Sequence, residues 1–297
     1  MALAPRVVLV HRRTEYTELL ARHATRGQAE FFLESRGRSI TEVKERHDSL
    51  QASIALVSGA LPEDVRQARV ERADLDRYVF SPEDVIVVVG QDGLVANVAK
   101  YLNGQPVVGI DPEPGRNAGV LVRHGAQEAG ELIAAVIAGR ASLDSRAMVQ
   151  GTLDDGQRIV ALNELYVGDD GHQSSRYVIS VPGGASERQS SSGIIVTTGT
   201  GSTGWAASIA SDRELQGLLP PAGSTVLGWY IREAWPSRST GRTLTAGTLL
   251  ETESLEFIVE SDSLVTFGDG IEDDHLTIGW GQRLRVGVSD RRLNLVD

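Results

Sequence analysis

The chain contains no cysteine among its 297 residues. It therefore has no disulfide, no zinc site with cysteine ligands and no thiol nucleophile, and this composition suits a reducing compartment. Basic residues are in deficit as well, with 29 Lys and Arg against 40 Asp and Glu, which gives a net charge of −11. This balance argues against nonspecific nucleic-acid binding, because such binding depends on a basic face.

Long apolar runs are also missing. No run reaches the roughly 18 residues that a membrane-spanning helix needs. The first residues, MALAPRVVLVHRR, are typical of a β-strand, because their apolar run is too short for a signal peptide. The chain is long enough for two domains that each have a core. We therefore expect a soluble, cytoplasmic protein with neither a membrane nor a nucleic acid as partner.

Strand and helix patterns alternate in the first half of the chain. Apolar runs at residues 6–10, 85–89 and 106–110 predict strands, of which the last two are buried on both faces, and residues 68–72 are a further strand candidate. Helical spacing covers residues 14–59, where Ser39 or Thr41 is the candidate cap of a helix that Gly59 ends, and residues 128–138. This alternation implies right-handed crossovers and a parallel sheet. We assign residues 1–135 to an α/β, Rossmann-like nucleotide-binding domain.

The second half has a different character, because short strands follow one another between turn pairs such as Asp155-Gly156 and Asp269-Gly270. The candidate strands are residues 158–167, 177–181, 194–198, 225–231, 255–260, 264–267, 276–280 and 284–288. This density predicts an antiparallel sandwich. We place the domain boundary between residues 123 and 145 and assign residues 136–297 to a β-rich domain, whose last strands can return to the first domain.

Two glycine-rich loops each follow an apolar strand and precede a helical stretch. The first is Gly90-Gln91-Asp92-Gly93, after the run Val85–Val89, and the second spans residues 197–204, with the sequence TTGTGSTG. Backbone N–H groups at such positions bind phosphate. Taken singly, the first loop is also compatible with an ordinary turn and the second with a plain Ser/Thr/Gly loop. Their joint presence favours phosphate or nucleotide binding.

The order of the motifs resembles that of the NAD kinases, which carry GGDG, then an Asn-Glu pair, then a TGST-type loop. The counterparts here are Gly90 to Gly93, Asn163-Glu164 and Thr200-Gly201-Ser202-Thr203. The detail is most similar to the divergent mitochondrial-type members, through GIDPEPGRNAGVL, ALNELYVG, SSGIIVTTGTGSTGW, YIRE and FGDG. This resemblance covers essentially the whole chain. It implies an α/β domain paired with a β-rich sandwich domain.

The resemblance also implies roles for individual residues in the transfer of a phosphoryl group from ATP to the 2′-hydroxyl of the adenosine ribose of NAD. Asp92 is the candidate catalytic residue that accepts the proton of the hydroxyl group. The implied nucleotide-binding residues are Gly90, Gln91, Gly93, Asn163, Glu164, Thr200, Gly201, Ser202, Thr203, Gly204 and Ser208. Trp205 occupies a position usually taken by Tyr and either stacks on the ligand or packs in the core. Asp269 either lies near the cleft or only forms a hairpin turn.

The implied cofactors are ATP with Mg²⁺, and the implied partner is a second copy of the chain in a homodimer. Mg²⁺ is expected to arrive with ATP, so no dedicated protein cage is predicted, and the six histidines show no metal-ligand spacing. Gln91, Leu94 and Asp111 replace a Gly, a Thr and an Asn of the family pattern. Three hypotheses follow: an NAD kinase with an altered donor loop, a kinase of the same fold that acts on another nucleoside, sugar or lipid hydroxyl, or a catalytically silent NAD(P)-binding or regulatory protein.

Overall fold

The computed structural model describes residues 5–116 and 119–297, so the first four residues and residues 117 and 118 of the GIDPEPGRNAGVL stretch lie outside the described residues. The chain forms two compact units. The first contains the residues up to Asp144 together with Asn294–Asp297, and the second contains Ser145–Leu293.

The first unit alternates strands and helices. Its elements are β1 (Arg6–His11), α1 (Glu15–His23), α2 (Arg26–Glu34), α3 (Ile40–Gly59), β2 (Arg66–Glu71), β3 (Val85–Val89), α4 (Asp92–Ala99), β4 (Pro106–Asp111), β5 (His124–Gly125) and α5 (Ala129–Ile137). All strand pairs among them are parallel, in the order β4-β3-β1-β2, with β5 beside the end of β4. Strands β1 and β3 are apolar because helices cover both faces of such a sheet.

The predicted helical stretch at residues 14–59 forms three helices. Hydroxyl groups begin each of them: Thr14 accepts from the N–H of Thr17, Thr25 from that of Gln28, and Ser39 from that of Thr41. These side chains satisfy N–H groups that have no partner within the helix. Of the two cap candidates for the third helix, Ser39 is therefore the one that caps it. Helices α1 and α2 pack on the start of α3 through a small apolar cluster of their own.

The second unit is built of antiparallel strands and one helix. Its elements are β6 (Leu143–Leu153), β7 (Arg158–Ala161), β8 (Glu164–Gly168), β9 (Ser175–Ser180), β10 (Ser186–Ser191), β11 (Ile194–Thr197), α6 (Trp205–Asp212), β12 (Leu227–Ile231), β13 (Ala246–Leu249), β14 (Ser254–Val259), β15 (Ser263–Gly268), β16 (His275–Gly279) and β17 (Arg283–Val296). The two ends of this series, in β6 and β17, continue into the first unit.

Two sheets of the second unit enclose its core. One has the order β13-β12-β11-β8-β15-β16, and the other contains β10-β9-β14-β17 with β6 and β7. Alternate residues of both sheets, among them Val196, Trp229 and Phe257, pack in a single apolar cluster between them. The predicted fold class, an α/β domain with a parallel sheet plus an antiparallel β-sandwich, is confirmed.

The structure differs from the predicted strands at two instructive places. The strand predicted over residues 158–167 breaks at Leu162 and Asn163 into β7 and β8. Strand β10 was not predicted, because its sequence SERQSS has no apolar alternation. Its residues Gln189 and Ser191 are nevertheless buried and bond to the Tyr177 hydroxyl of the neighbouring strand β9. Buried hydrogen bonds therefore take the place of the apolar pattern in this strand.

Within residues 5–116 and 119–297, no helix combines the length and the apolar character that crossing a membrane requires.

Candidate functional site

The first glycine loop connects β3 directly to α4. Gln91 is the N-cap of the helix, with φ −107° and ψ 166°, and its side chain makes no capping hydrogen bond. Any L-residue adopts these angles without strain. The replacement of the family's second glycine by Gln91 therefore costs the backbone nothing. The amide side chain is exposed at the position where the loop is expected to meet its ligand.

Asp92, the first residue of α4, is held by the segment that follows β4. Its Oδ1 accepts hydrogen bonds from the backbone N–H groups of Leu121 (2.8 Å) and Val122 (3.0 Å), and its Oδ2 accepts one from Val120 (2.9 Å). A carboxylate offers about four acceptor positions, so one remains, on Oδ2. The three bonds fix the carboxylate in one orientation.

Gly109 makes this anchoring possible. A Cβ atom at Gly109 would lie 2.1 Å from the carbonyl oxygen of Leu121, well inside contact distance. Only a glycine in β4 therefore lets the segment after β4 come close enough for its N–H groups to reach Asp92. At the end of the same strand, the buried Asp111 accepts from the N–H of Glu113 at 2.8 Å, so its carboxylate stabilises a local turn.

The two residues that follow Asp92 differ in how they pack. A Cβ atom at Gly93 would meet no atom within 4 Å, and its φ is not in the left-handed region, so nothing inside the protein requires a glycine there. Glycine inside a helix costs about 0.5–1 kcal/mol relative to alanine. Leu94 is buried and packs against Gly90, where a Cβ atom would lie 3.0 Å from its Cδ2. Leu94 therefore serves packing and offers no group to a ligand.

In the second unit, the break between β7 and β8 is stabilised by Asp269. The carboxylate accepts from the N–H of Leu162 (2.9 Å) through Oδ2 and from that of Asn163 (2.7 Å) through Oδ1. Asp269 has φ +55°, an uncommon angle for a residue with a side chain, in the turn after β15. Of the two readings of FGDG, the hairpin turn is therefore present. In addition, its carboxylate holds Leu162 and Asn163, directly before Glu164.

The second glycine loop folds onto the same break. The buried Thr198 hydroxyl donates to the carbonyl oxygen of Leu162 (2.6 Å) and accepts from the N–H groups of Thr200 (3.1 Å) and Gly201 (3.3 Å). The N–H of Thr198 donates to the carbonyl oxygen of Asn163 at 2.8 Å. Thr198 thus joins the Asn-Glu motif to the second glycine loop, to which it belongs.

Close packing explains the glycines of this loop. A Cβ atom at Gly201 would lie 2.3 Å from the carbonyl oxygen of Asn163, and one at Gly199 would lie 1.9 Å from that of Pro221. Ser202 donates its hydroxyl to the carbonyl oxygen of Pro220 at 2.8 Å. These residues therefore build the loop from within.

The loop ends with Thr203 and Gly204, which are exposed, as is Ser208 on the following helix α6. Within the described part of the chain, no hydrogen bond is recorded for the side chains of Thr203 and Ser208. Thr200, Gly201 and Ser202 face the protein, so the ligand-facing candidates of the motif are the residues that follow them. Gly90 to Gly93 belong to the first unit, whereas Asn163, Glu164 and this loop belong to the second.

Glu164 has an unusual acidity. Burial raises its pKa to about 7, and the negative charge of Asp269 acts in the same direction. Both effects disfavour the ionised form. At neutral pH the carboxyl group therefore exists in both protonation states, so it can donate as well as accept a hydrogen bond. Among the residues that the structure describes, no group of three or more His, Cys, Asp or Glu side chains could hold a metal ion.

Trp205 begins α6 and belongs to an aromatic cluster. Its ring stacks on Tyr166, with centroids 5.9 Å apart and planes 12° apart, and the guanidinium carbon of Arg232 lies 5.0 Å from its centroid. The ring is 37% exposed. Trp205 is thus partly buried. Its contact with Arg232 was not evident from the sequence, because the two residues lie far apart in the chain.

No protein-family model matches the chain. A curated NAD kinase of Aromatoleum aromaticum is 36% identical over 213 residues, which cover 68% of this chain and 65% of that protein. Mitochondrial NAD kinase 2 of Rattus norvegicus is 28% identical over 254 residues, covering 69% of this chain and 60% of that protein. An NAD kinase of Chlorobaculum tepidum is 26% identical over 140 residues, covering 46% and 47%. The chain thus spans about half to two thirds of the length of these relatives.

A solved structure extends the likeness to the fold. The crystal structure of yeast NADH kinase complexed with NADH matches with a TM-score of 0.61 at 14% identity, covering 99% of this chain and 83% of that one. At this identity the match concerns the fold alone. The predicted resemblance is confirmed: in sequence the chain is similar to NAD kinases, with mitochondrial-type members among its relatives.

Proposed function

We propose that the chain is an NAD kinase, which transfers the γ-phosphoryl group of ATP to the 2′-hydroxyl of the adenosine ribose of NAD. The names of the relatives support a phosphotransferase at the level of the family. One observation in the structure of this chain supports the proposal. The Asn-Glu motif and the second glycine loop are in direct contact, through the N–H of Thr198 on Asn163 and through Gly201, which fits only without a side chain.

Phosphoryl transfer depends on positioning and charge neutralisation more than on covalent chemistry. In this proposal the ribose hydroxyl donates to the free acceptor position on Oδ2 of Asp92. As the bond from the hydroxyl oxygen to the γ-phosphorus forms and the bond to ADP breaks, Asp92 accepts the proton. The three N–H groups that hold the carboxylate keep it in place during the step.

The donor binds at the loop after β3 in this proposal. Gly93 has no role in packing, and the absence of a side chain there allows phosphate oxygens to approach the start of α4. The exposed amide of Gln91 lies beside it. Mg²⁺ comes with ATP as part of the substrate, retains several waters and neutralises the phosphate charge.

The acceptor is recognised in the second unit. Asn163 and Glu164 are suited to ribose hydroxyl groups, because an amide and a half-protonated carboxyl group both donate and accept hydrogen bonds. The exposed hydroxyls of Thr203 and Ser208 and the open backbone at Gly204 remain for the adenosine side of NAD. The inward residues Thr200, Gly201 and Ser202 keep the loop in shape.

A coupled assay of NADP formation from NAD, ATP and Mg²⁺ tests the proposal. NADP formation by the wild type that is lost in the Asp92→Asn variant supports the proposal. Tight NAD binding without turnover, whichever phosphoryl donor is added, would instead identify a silent binding protein. Weak NAD binding with phosphorylation of another hydroxyl compound would identify a kinase for a different acceptor. The homodimer remains a prediction, and sedimentation analysis of the purified chain checks it.

A further inference from the structure

The parallel sheet of the first unit has a topological switch point between β1 and β3. From β1 the chain passes to β2 on one side, and from β3 it passes to β4 on the other, which gives the order β4-β3-β1-β2. Connections that leave in opposite directions open a crevice at the carboxyl ends of the two strands. In sheets of this kind, ligands bind in that crevice.

Two arginines occupy the β1 side of this crevice. His11, the last residue of β1, is paired with Val89, the last residue of β3, so Arg12 follows β1 where Gly90 follows β3. Arg12 and Arg13 form the whole connection between β1 and Thr14, the N-cap of α1. Both arginines are exposed. The pair places two positive charges at this edge of a chain whose net charge is −11.

The surroundings leave Arg12 available to a ligand. Arg13 lies 3.4 Å from Glu71 at the end of β2, an exposed ion pair. No ion pair is recorded for Arg12 within the part of the chain that the structure describes. Arg72, which follows β2, donates through Nε to Asn97 of α4 at 2.6 Å. This contact shows that the later part of α4 lies close to the carboxyl end of β2. The start of α4 follows β3, so the crevice has Arg12 and Arg13 after one strand and the start of α4 after the other.

The loop after β3 lacks groups that a phosphate would need. Leu94 is buried against Gly90 and offers no hydroxyl, and Asp92 adds a negative charge. The exposed residues Gln91 and Gly93 carry no positive charge that could balance a triphosphate. Arginine is suited to this task because its planar guanidinium binds phosphate oxygens in pairs and stays charged.

We infer that Arg12 and Arg13 bind the terminal phosphates of the phosphoryl donor at the crevice between β1 and β3. The inference rests on the proposed function for the identity of the donor. Arg12 makes the direct contact, and Arg13, restrained by Glu71, adds charge beside it. The donor site therefore extends from the glycine loop to a second strand end that none of the motifs includes.

The test measures both substrates in the same variants. Arg12→Gln and Arg13→Gln are compared with Arg22→Gln, which removes the same charge at another exposed position, on α1. Because a hydrogen bond to a charged group contributes about 1.5–3 kcal/mol, the KM for ATP is expected to rise about tenfold or more in Arg12→Gln. The KM for NAD is expected to stay within about twofold, and Arg12→Lys is expected to restore part of the loss.

A binding titration separates this inference from the proposed function. Inorganic triphosphate is titrated into the wild-type chain and Arg12→Gln, with melting curves to verify that the variant is folded. If the wild type binds triphosphate more tightly than Arg12→Gln but does not phosphorylate NAD, the inference stands and the proposed function fails. If NAD is phosphorylated and Arg12→Gln has an unchanged KM for ATP, the inference fails alone. Equal rises of both KM values, or an equal effect of Arg22→Gln, also overturn it.

Discussion

Replacing Asp92 by Asn separates the catalytic role of this residue from its structural role. The Asn oxygen can take the place of Oδ1 and keep the bonds from Leu121 and Val122. The NH₂ group then replaces Oδ2 and faces the N–H of Val120, so that donor meets donor. One unsatisfied N–H and the loss of a charged acceptor together cost about 2–3 kcal/mol. For a chain of this size, the melting temperature falls by roughly 5–10 °C.

The expected loss of activity in Asp92→Asn is much larger than this loss of stability. A general base contributes roughly 10²- to 10⁴-fold to the rate, so kcat for NADP formation is expected to fall by at least about a hundredfold. The assay is run well below the melting temperature of the variant, with saturating ATP and NAD, so that the comparison concerns the folded enzyme.

Gly109→Ala provides the matched control. The new Cβ atom would lie 2.1 Å from the carbonyl oxygen of Leu121 and push away the segment that holds Asp92, while the carboxylate itself remains. Overpacking of this kind costs about 1–3 kcal/mol, and weakening the three bonds to the carboxylate adds to that cost. We expect Gly109→Ala to lose part of its activity because Asp92 is less well positioned, but to retain more than Asp92→Asn because the carboxylate itself is still present. Equal losses in the two variants, or more than a tenth of wild-type kcat in Asp92→Asn, would refute the role of Asp92 as proton acceptor.

Three further predictions concern single residues. In the folded state the pKa of the Glu164 carboxyl group is raised to about 7. At pH values between the ordinary pKa of Glu and this value, folding is accompanied by the uptake of a proton, so the stability of the fold decreases as the pH rises through this range. Glu164→Gln is therefore expected to gain stability relative to the wild type at pH 8 but not at pH 5, and an equal difference in melting temperature at both values would contradict this cause. Gly93→Ala is expected to keep or slightly raise stability, because its Cβ meets no atom, yet to raise the KM for ATP, and an unchanged KM would show that no ligand approaches there. Thr198→Val removes the hydroxyl that makes three bonds and is expected to cost about 2–3 kcal/mol in urea unfolding. Thr198→Ser keeps the hydroxyl and is expected to lose far less stability. Equal losses in the two variants would show that the shape of the side chain, rather than its hydroxyl, causes the effect.

Apolar patterns were sufficient to predict the elements whose environment is uniform. The run Val85–Val89 is buried at every position and forms the central parallel strand that its sequence predicts. Strand β10 was not predicted, because its buried face is polar. The burial of this face depends on hydrogen bonds to Tyr177 of another strand. A pattern based on hydrophobicity cannot register a face whose polar groups are satisfied by distant partners.

Motifs identified the loops but not the bonds that shape them. The sequence pointed to Asn163, Glu164 and residues 200–203 as one functional set, and the structure brings the pair and the start of the loop into contact. The connecting residues Thr198 and Asp269 act through side-chain bonds to backbone groups more than 30 residues away. Neither sequence spacing nor residue type predicts such a bond.

The fold class could be predicted from the sequence alone, because local periodicity reflects which faces are buried. The order of several short motifs also indicated the resemblance to NAD kinases. Only the folded structure showed which groups of each motif residue are available to a ligand. It showed that Gln91 adopts an ordinary backbone conformation, that Asp92 retains one acceptor position after holding a neighbouring segment, and that Thr200 and Gly201 face inward. The reason is physical: the acceptor and donor capacity of a side chain is shared among neighbours that only folding brings together.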